Sequence, residues 1–357
     1  MERKRIAITM GDPAGIGPEV VVKALAERAV YENCVPVVIG DYEALQDAIH
    51  FSGLNLVLNE VQKFEDAAGK FGTVEYVNLG YLKPNGWVYK ENSVICGEAS
   101  FQYVVRAIHI AMEGKAAAVI TAPISKESIN MAGHHYSGHT EIFAEYTGTK
   151  DYAMLLASGN LRVIHVTTHC ALIEACRRIR RERVLTVIKL ADKGCRMLGI
   201  DNPQIGVAGL NPHCSEDGLF GTEEADEIIP AIQEARKLGI HVEGPEPPDT
   251  VFVKCKAGIY DIVVAMYHDQ GHIPLKLNGF QWDEESGQFK SIRGINCTIG
   301  LPIIRVSVDH GTAFGKAGEG RANADSMIDA IEAGLKMAGN FDAQDRLQNL
   351  PICSIDK

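Results

Sequence analysis

Three histidines in this 357-residue chain each close a short apolar run: His169 after Val163 and Ile164, His213 after Ile205 to Leu210, and His268 after Asp261 to Tyr267. Runs this rich in valine and isoleucine read as buried strands of an α/β sheet. Open sheets of that class gather their ligands beyond the carboxyl ends of the strands. Three imidazoles delivered there can converge on one divalent metal and leave a coordination position open for substrate. Taken singly, each would be an ordinary packed histidine. Their neighbours Thr167, Thr168, Asn211, Asp269 and Gln270 have the right chemistry to fix imidazole tautomers from behind. His165 and His272 are lesser candidates. Strand alternation puts His165 on the side of His169 but deeper, as a structural residue.

Other constellations surround this one. Met10 to Glu19 (MGDPAGIGPE) lies between a strand and a helix, where glycines let the backbone approach a ligand and a helix N-terminus favours an anion. It is neither G-x-G-x-x-G nor a P-loop, and a βα turn needing unusual dihedrals explains it equally well. Gly138-His139-Thr140-Glu141 opens a helical stretch to Tyr146, with Ser137 or Thr140 as cap, and suits a phosphate or carboxylate. Lys276, Asn296 and Arg305 supply cations and an amide late in the chain. Arg305 ends a buried apolar run, where an unpaired charge is costly, so its planar fork should meet a carboxylate or phosphate. A structural salt bridge to an aspartate is the plainer alternative. Asp309 to Asn323 is a Gly-rich loop flanked by His310 and Asn323 that could wrap an adenine and ribose. Asp249 and Asp269 are candidates for proton transfer or histidine orientation.

The elements that must position these groups alternate nearly throughout. Residues 6–10 read as a strand, 18–27 as a helix, 35–40 as a strand, 98–114 as a helix and 116–120 as a strand. Residues 222–238 read as a helix capped by Thr222, with Glu223, Glu224 and Asp226 complementing its first turn, and 325–338 as another. This is the pattern of an α/β fold with a largely parallel sheet. The polar segment Gly279 to Gly294, with a central Ser-Gly, reads as a β-hairpin or flap. A formal charge of −11 argues against general nucleic-acid binding. Nine scattered cysteines without a C-x-x-C pair suit a reducing compartment. The apolar run after Met1–Arg5 is too short for a signal core, and no stretch reaches a membrane span, so a cytoplasmic location is expected.

Two bookends carry a resemblance. Gly11 to Val20 resembles the G-D-G-I-G-P-E-V opening of isocitrate and isopropylmalate dehydrogenases, and His310-Gly-Thr-Ala313 through Asn323 resembles their cofactor loop, with Ala324 where that loop has proline. Between them Thr121 to Lys126 (TAPISK), Gly138 to Thr140, Asn211 to His213, Tyr267 to Gly271 and Val308 to Thr312 resemble a narrower group. That group is the 4-hydroxythreonine-4-phosphate dehydrogenase family of vitamin B6 synthesis, and the match runs over nearly the whole chain. Asp151 to Met154 and His272 to Lys276 look more like its D-threonate/D-erythronate 4-phosphate branch.

The resemblance implies two α/β/α domains with a cleft between them, residues 1–130 plus 296–357 carrying the cofactor loop and 131–295 carrying metal ligands and dimer contacts. It implies a homodimer with a shared active site. His169, His213 and His268 would bind zinc, magnesium, manganese or cobalt, with His169 and His213 close together in one chain and His268 reaching in from the other, so that His268 of the same chain stands far from both. Substrate would be held by His139, Thr140, Lys276, Asn296 and Arg305, and NAD by His310, Gly311, Thr312, Ala313 and Asn323. Lys276, Asp249 and Asp269 are the candidates for catalysis. The expected reaction is metal-assisted oxidation and decarboxylation of a phosphorylated four-carbon hydroxy acid to dihydroxyacetone phosphate. The alternative substrate is 4-hydroxy-L-threonine phosphate, and an aromatic cis-dihydrodiol is a weaker third. Phosphate acyltransferases share the broader fold, but the histidine set and the cofactor loop argue against that class. Residues 281–293 are an insertion relative to the shortest members and are expected to fold over the cleft as a hairpin containing Trp282.

Overall fold

The computed structural model describes residues 3–284 and 288–341. The chain divides into two compact units, Met1–Lys150 with Leu301–Lys357, and Asp151–Gly300. In chain order the first unit contributes strands β1 (Lys4–Thr9), β2 (Cys34–Gly40), β3 (Val57–Glu60), β4 (Thr73–Asn78) and β5 (Val119–Thr121). The second contributes β6 (Ala153–Ser158), β7 (Leu161–His165), β8 (Ile205–Ala208), β9 (Val242–Glu246), β10 (Ile262–Ala265), β11 (Phe280–Asp283), β12 (Gln288–Ile292) and β13 (Ile295–Ile299). The chain then returns to the first unit as β14 (Arg305–Val308). Residues 131–150, grouped above with the second domain, pack with the first: the helix His139–Tyr146 lies on the helix Val94–Met112.

In the first unit the strands run parallel in the order β3-β4-β2-β1-β5-β14. All of β2 (CVPVVIG) is buried, as a continuous apolar run requires when both faces of a sheet are covered. β1 has β2 on one side and β5 on the other, so the connections that follow β1 and β5 meet at a topological switch point, where such sheets bind ligands. The contact is close. Asp12 N–H donates to the Pro123 carbonyl at 2.8 Å, and a side chain at Gly11 would come within 2.4 Å of that oxygen. Gly11 also sits at φ +78°, so no other residue fits easily there.

The second unit is ordered β13-β6-β7-β10-β8-β9, antiparallel from β13 to β7 and parallel from β7 to β9. The runs ending in the three histidines are thus β7, β10 and β8, adjacent and parallel, with their carboxyl ends along one edge. Buried Gln270 stitches two of those ends together: its Oε1 accepts the Met266 N–H at 2.6 Å and its Nε2 donates to the Gly209 carbonyl at 2.8 Å. Thr167 donates its hydroxyl to the Met266 carbonyl at 2.8 Å and ties in the third.

Two elements differ in detail from the sequence reading. The stretch 222–238 opens as a π-helical turn, Glu224–Ile228, before the α-helix Ile229–Lys237, and Glu224 turns inward instead of facing solvent. The polar segment after Gly279 does form an antiparallel hairpin, β11 with β12, and the Ser286-Gly287 tip expected of it lies outside the described residues. Among the described residues no helix is long and apolar enough to cross a membrane, and the eight described cysteines are free thiols.

Candidate active site

Strand β7 stops at His165, and the four residues beyond it lead to His169, whose φ is +21°. β10 stops at Ala265, and after two residues His268 opens the helix His268–Gly279. Because β7 and β10 are paired, the two histidines meet, with ring centroids 5.7 Å apart. This corrects the expectation that His268 stands far from His169 of its own chain: neighbouring parallel strands must deliver their ends together. A cavity of about 480 Å³ opens beside the pair, lined by Thr167 to Leu172, Ala175 and Tyr267 to Asp269.

Asp269 holds the His268 ring from behind, its Oδ1 2.6 Å from Nδ1. A carboxylate accepts only, so Nδ1 is the donor in this bond and Nε2 is the nitrogen turned to the other side of the ring. Carboxylate-backed imidazoles of this kind are characteristic metal ligands. One helical turn on, His272 stacks on His268 with centroids 3.6 Å apart and planes 11° from parallel, its Nδ1 donating to the His268 carbonyl at 2.9 Å. His165, fully buried, gives its Nδ1 proton to the Met154 carbonyl at 3.3 Å and lies 4.7 Å from His272. Burial first, and neighbouring imidazoles second, pull the His165 pKa down to about 3 and the His272 pKa to about 4, so both rings are neutral at pH 7. The His165 ring fits because residue 271 is glycine: a Cβ there would stand 2.4 Å from Nε2.

His213 follows β8 on a left-handed turn, 64% exposed, with Nδ1 3.4 Å from Glu216. Among the described residues no three histidine, cysteine or acidic side chains are gathered to hold a metal. The structure therefore brings two of the three expected ligands together and does not bring His213 to them. Lys276 lies on the helix that His268 opens, its ammonium 4.9 Å from the Phe280 ring centre. Asn296, on β13, has its amide nitrogen 3.3 Å from the Met154 sulfur. Asp249 is exposed just before the helix Val251–Lys256.

The remaining residues belong to the first unit. Arg305, at the start of β14, is 2% exposed. Its Nη2 donates to the Thr121 hydroxyl at 2.9 Å, and its guanidinium lies 5.8 Å from the Phe143 ring centre. His139 and Thr140 open the helix His139–Tyr146, whose N-cap is Gly138 and not the hydroxyl of Ser137 or Thr140, with no side-chain cap bond. The His139 Nε2 is buried without a hydrogen-bond partner in the structure. Burial, then the Arg305 charge, hold this imidazole well below its ordinary pKa, so it stays neutral beside a cation. A neutral imidazole and a planar cation together suit an anionic oxygen.

The loop from Asp309 to Asn323 is fastened to the opening motif. Ile16 N–H donates to the Thr312 carbonyl at 3.0 Å, and Gly15 leaves room for Thr312, which a Cβ would meet at 3.0 Å. Sequence reasoning missed the clamp behind them. Glu19, 0% exposed, accepts the Ala322 N–H at 2.6 Å and the Lys23 ammonium at 2.7 Å on the same oxygen. Lys23 also donates to the carbonyls of Gly320 and Ala322, each at 2.8 Å. His310 places Nδ1 3.0 Å from the Gly311 carbonyl, and Ala313 is left-handed at φ +44°. Asn323 accepts the Asp325 N–H at 2.6 Å and so also starts the helix Asp325–Asn340. Glycines 11, 15 and 17 let the backbone of the opening motif pack directly on Pro123, Thr312 and Met10, where a Cβ would stand 2.4–3.0 Å from those residues.

The family model of the pyridoxal phosphate biosynthetic protein PdxA matches residues 32–334. The chain is similar to a protein of Oceanobacillus iheyensis, provisionally named a D-threonate 4-phosphate dehydrogenase, at 48% identity over 93% of this chain and 97% of the relative. It is similar to the D-threonate 4-phosphate dehydrogenase of Cupriavidus necator at 44% identity, covering 93% and 97%. Among solved structures it resembles a 4-hydroxythreonine-4-phosphate dehydrogenase from Klebsiella pneumoniae, with a TM-score of 0.82, 43% identity and coverage of 94% and 98%.

Proposed function

This chain belongs to the PdxA family, whose members are dehydrogenases, and on that premise we propose that it oxidises a phosphorylated four-carbon hydroxy acid, D-threonate or D-erythronate 4-phosphate, using NAD and a divalent metal. Carbon dioxide and dihydroxyacetone phosphate are the products, formed in the cytoplasm by a homodimer with a shared active site. The observation that carries the reading is the His169–His268 pair at adjacent strand ends, with Asp269 accepting from Nδ1 of His268 and so fixing that ring.

These two rings would hold the metal, with His213, which the single chain does not bring to them, as the third donor, and imidazoles suit zinc, manganese or cobalt, with magnesium the hardest fit. The chemistry the groups supply when bound is acidification of a secondary alcohol and neutralisation of charge as the carboxylate leaves, with NAD as hydride acceptor. The chain's own residues do the rest. Arg305 offers a planar fork to a phosphate or carboxylate, and His139 adds a hydrogen bond without adding charge. Thr140 and Asn296 orient the substrate's hydroxyls. Lys276 neutralises a second anionic group and is the first candidate for proton transfer, with Asp249 and Asp269 as the others. His310, Gly311, Thr312, Ala313 and Asn323 hold the dinucleotide.

4-Hydroxy-L-threonine phosphate is the second reading, favoured by the name of the Klebsiella structure. The two acids differ by a hydroxyl or an amine on the carbon beside the reacting one. NADH formation measured on both decides between them: turnover on D-threonate 4-phosphate should be greater by roughly tenfold or more. The reverse order gives the site to the amino acid, and activity that survives exhaustive chelation overturns the metal.

A further inference from the structure

Five consecutive non-glycine residues, His213 to Asp217, have φ between +45° and +69°. Left-handed backbone drives each Cβ toward a carbonyl oxygen, and such a run persists only where its surroundings over-determine it. Here backbone bonds such as Cys214 N–H to the Asn211 carbonyl and Phe220 N–H to the Ser215 carbonyl are joined by one buried carboxylate. Glu224 is 2% exposed. Its Oε1 accepts the N–H groups of Leu210 at 2.8 Å and Asn211 at 2.7 Å. Its Oε2 accepts the Asn211 amide at 2.9 Å and the Ser215 hydroxyl at 2.7 Å.

The donors come from the strand end before the turn and from the turn itself, so one side chain closes the loop from inside. Glu224 reaches them from the π-helical turn Glu224–Ile228. Single π turns of this kind recur at functional sites. Burial raises the Glu224 carboxyl, but the bonds from Asn211 and Ser215 outweigh it and hold the group below the usual carboxylate range, so it is charged. Outside the turn, the His213 ring is 64% exposed and free to take a ligand on Nε2.

We propose that Glu224 is a positioning residue for His213, locking the left-handed turn so that the imidazole is presented ready for the metal. This role rests on the metal reading above. Zinc titrated into the metal-free full-length chain tests it, together with amide hydrogen exchange. Glu224→Gln keeps the volume but sets an NH2 group among N–H donors. Zinc should bind roughly tenfold or more weakly, and the Leu210 and Asn211 amides should lose protection even without metal. Ser215→Ala removes one of the four bonds and should shift both measurements the same way by less, which keeps the test decisive if Glu224→Gln does not fold. Wild-type protein that binds no zinc overturns the metal reading and this role with it. Wild-type protein that binds zinc, and variants that bind it equally well, overturn the role alone.

Discussion

A carboxyl buried as completely as that of Asp12 must answer for its charge. It accepts the Ala14 N–H at 2.8 Å on one oxygen. Desolvation wins over that bond and the weaker ones from Ser128 and Ser125, and raises its pKa from 3.8 to about 6. The folded state therefore holds a proton that the unfolded chain has given up. The resulting stability is fully present below pH 4 and is lost as pH rises through 6, a span of about 3 kcal/mol. Asp12→Asn removes the titration and keeps the acceptor for Ala14. Between pH 5 and pH 8 the variant should gain about 1.4 kcal/mol on the wild type, roughly 2 °C in melting temperature. A melting difference that does not change with pH would show that Asp12 is already ionised in the fold. At this scale the sequence was legible where a residue ends an apolar run, as His169 and His268 do. The four-histidine cluster was not, because His272 meets His268 only once a helix starts at His268 and puts the two one turn apart.

Elements explain why two motifs some 300 residues apart behave as one. The opening motif follows β1, and the loop from His310 follows β14, with only β5 between those strands. Sequence reasoning recognised each motif by its resemblance but could not see Glu19 as their joint, since strand order is what carries the loop back to its helix. The Glu19–Lys23 pair makes charge-assisted bonds to three backbone groups of the loop. Such bonds contribute about 1.5–3 kcal/mol each when buried. If the loop binds the dinucleotide as proposed, Glu19→Gln should raise KM for NAD roughly tenfold or more and change kcat much less. Lys23→Met should follow it. A fall in kcat at unchanged KM would remove Glu19 from cofactor positioning. The helix over 222–238 was misread at its start for a related reason. Acids in a first turn ordinarily complement the helix dipole, but the π turn adds a residue and rotates Glu224 into the interior.

On the scale of the whole molecule, the α/β class was legible because alternating apolar runs and amphipathic helices allow little else, and each unit confirms it with parallel strands. What periodicity cannot show is which apolar side chains stay outside. Four that do so lie around the histidine pair. Leu172 and Ile173 follow His169 and are 60% and 64% exposed, and Ile273 and Leu277, 59% and 78% exposed, lie one turn apart on the helix that His268 opens. A single exposed leucine is ordinary, whereas several beside a functional site mark an interface. In the proposed homodimer a second copy covers them, and the shared site makes association a condition of activity. Leu277→Glu places a charge where that contact would form and, being at the surface, should leave the monomer folded. Sedimentation at micromolar concentration should then show a wild-type dimer and a variant displaced toward monomer, with turnover falling in step and recovering as protein concentration is raised. A monomeric wild type with full activity would refute the shared site, and a variant that stays dimeric and active would move the interface elsewhere on the chain.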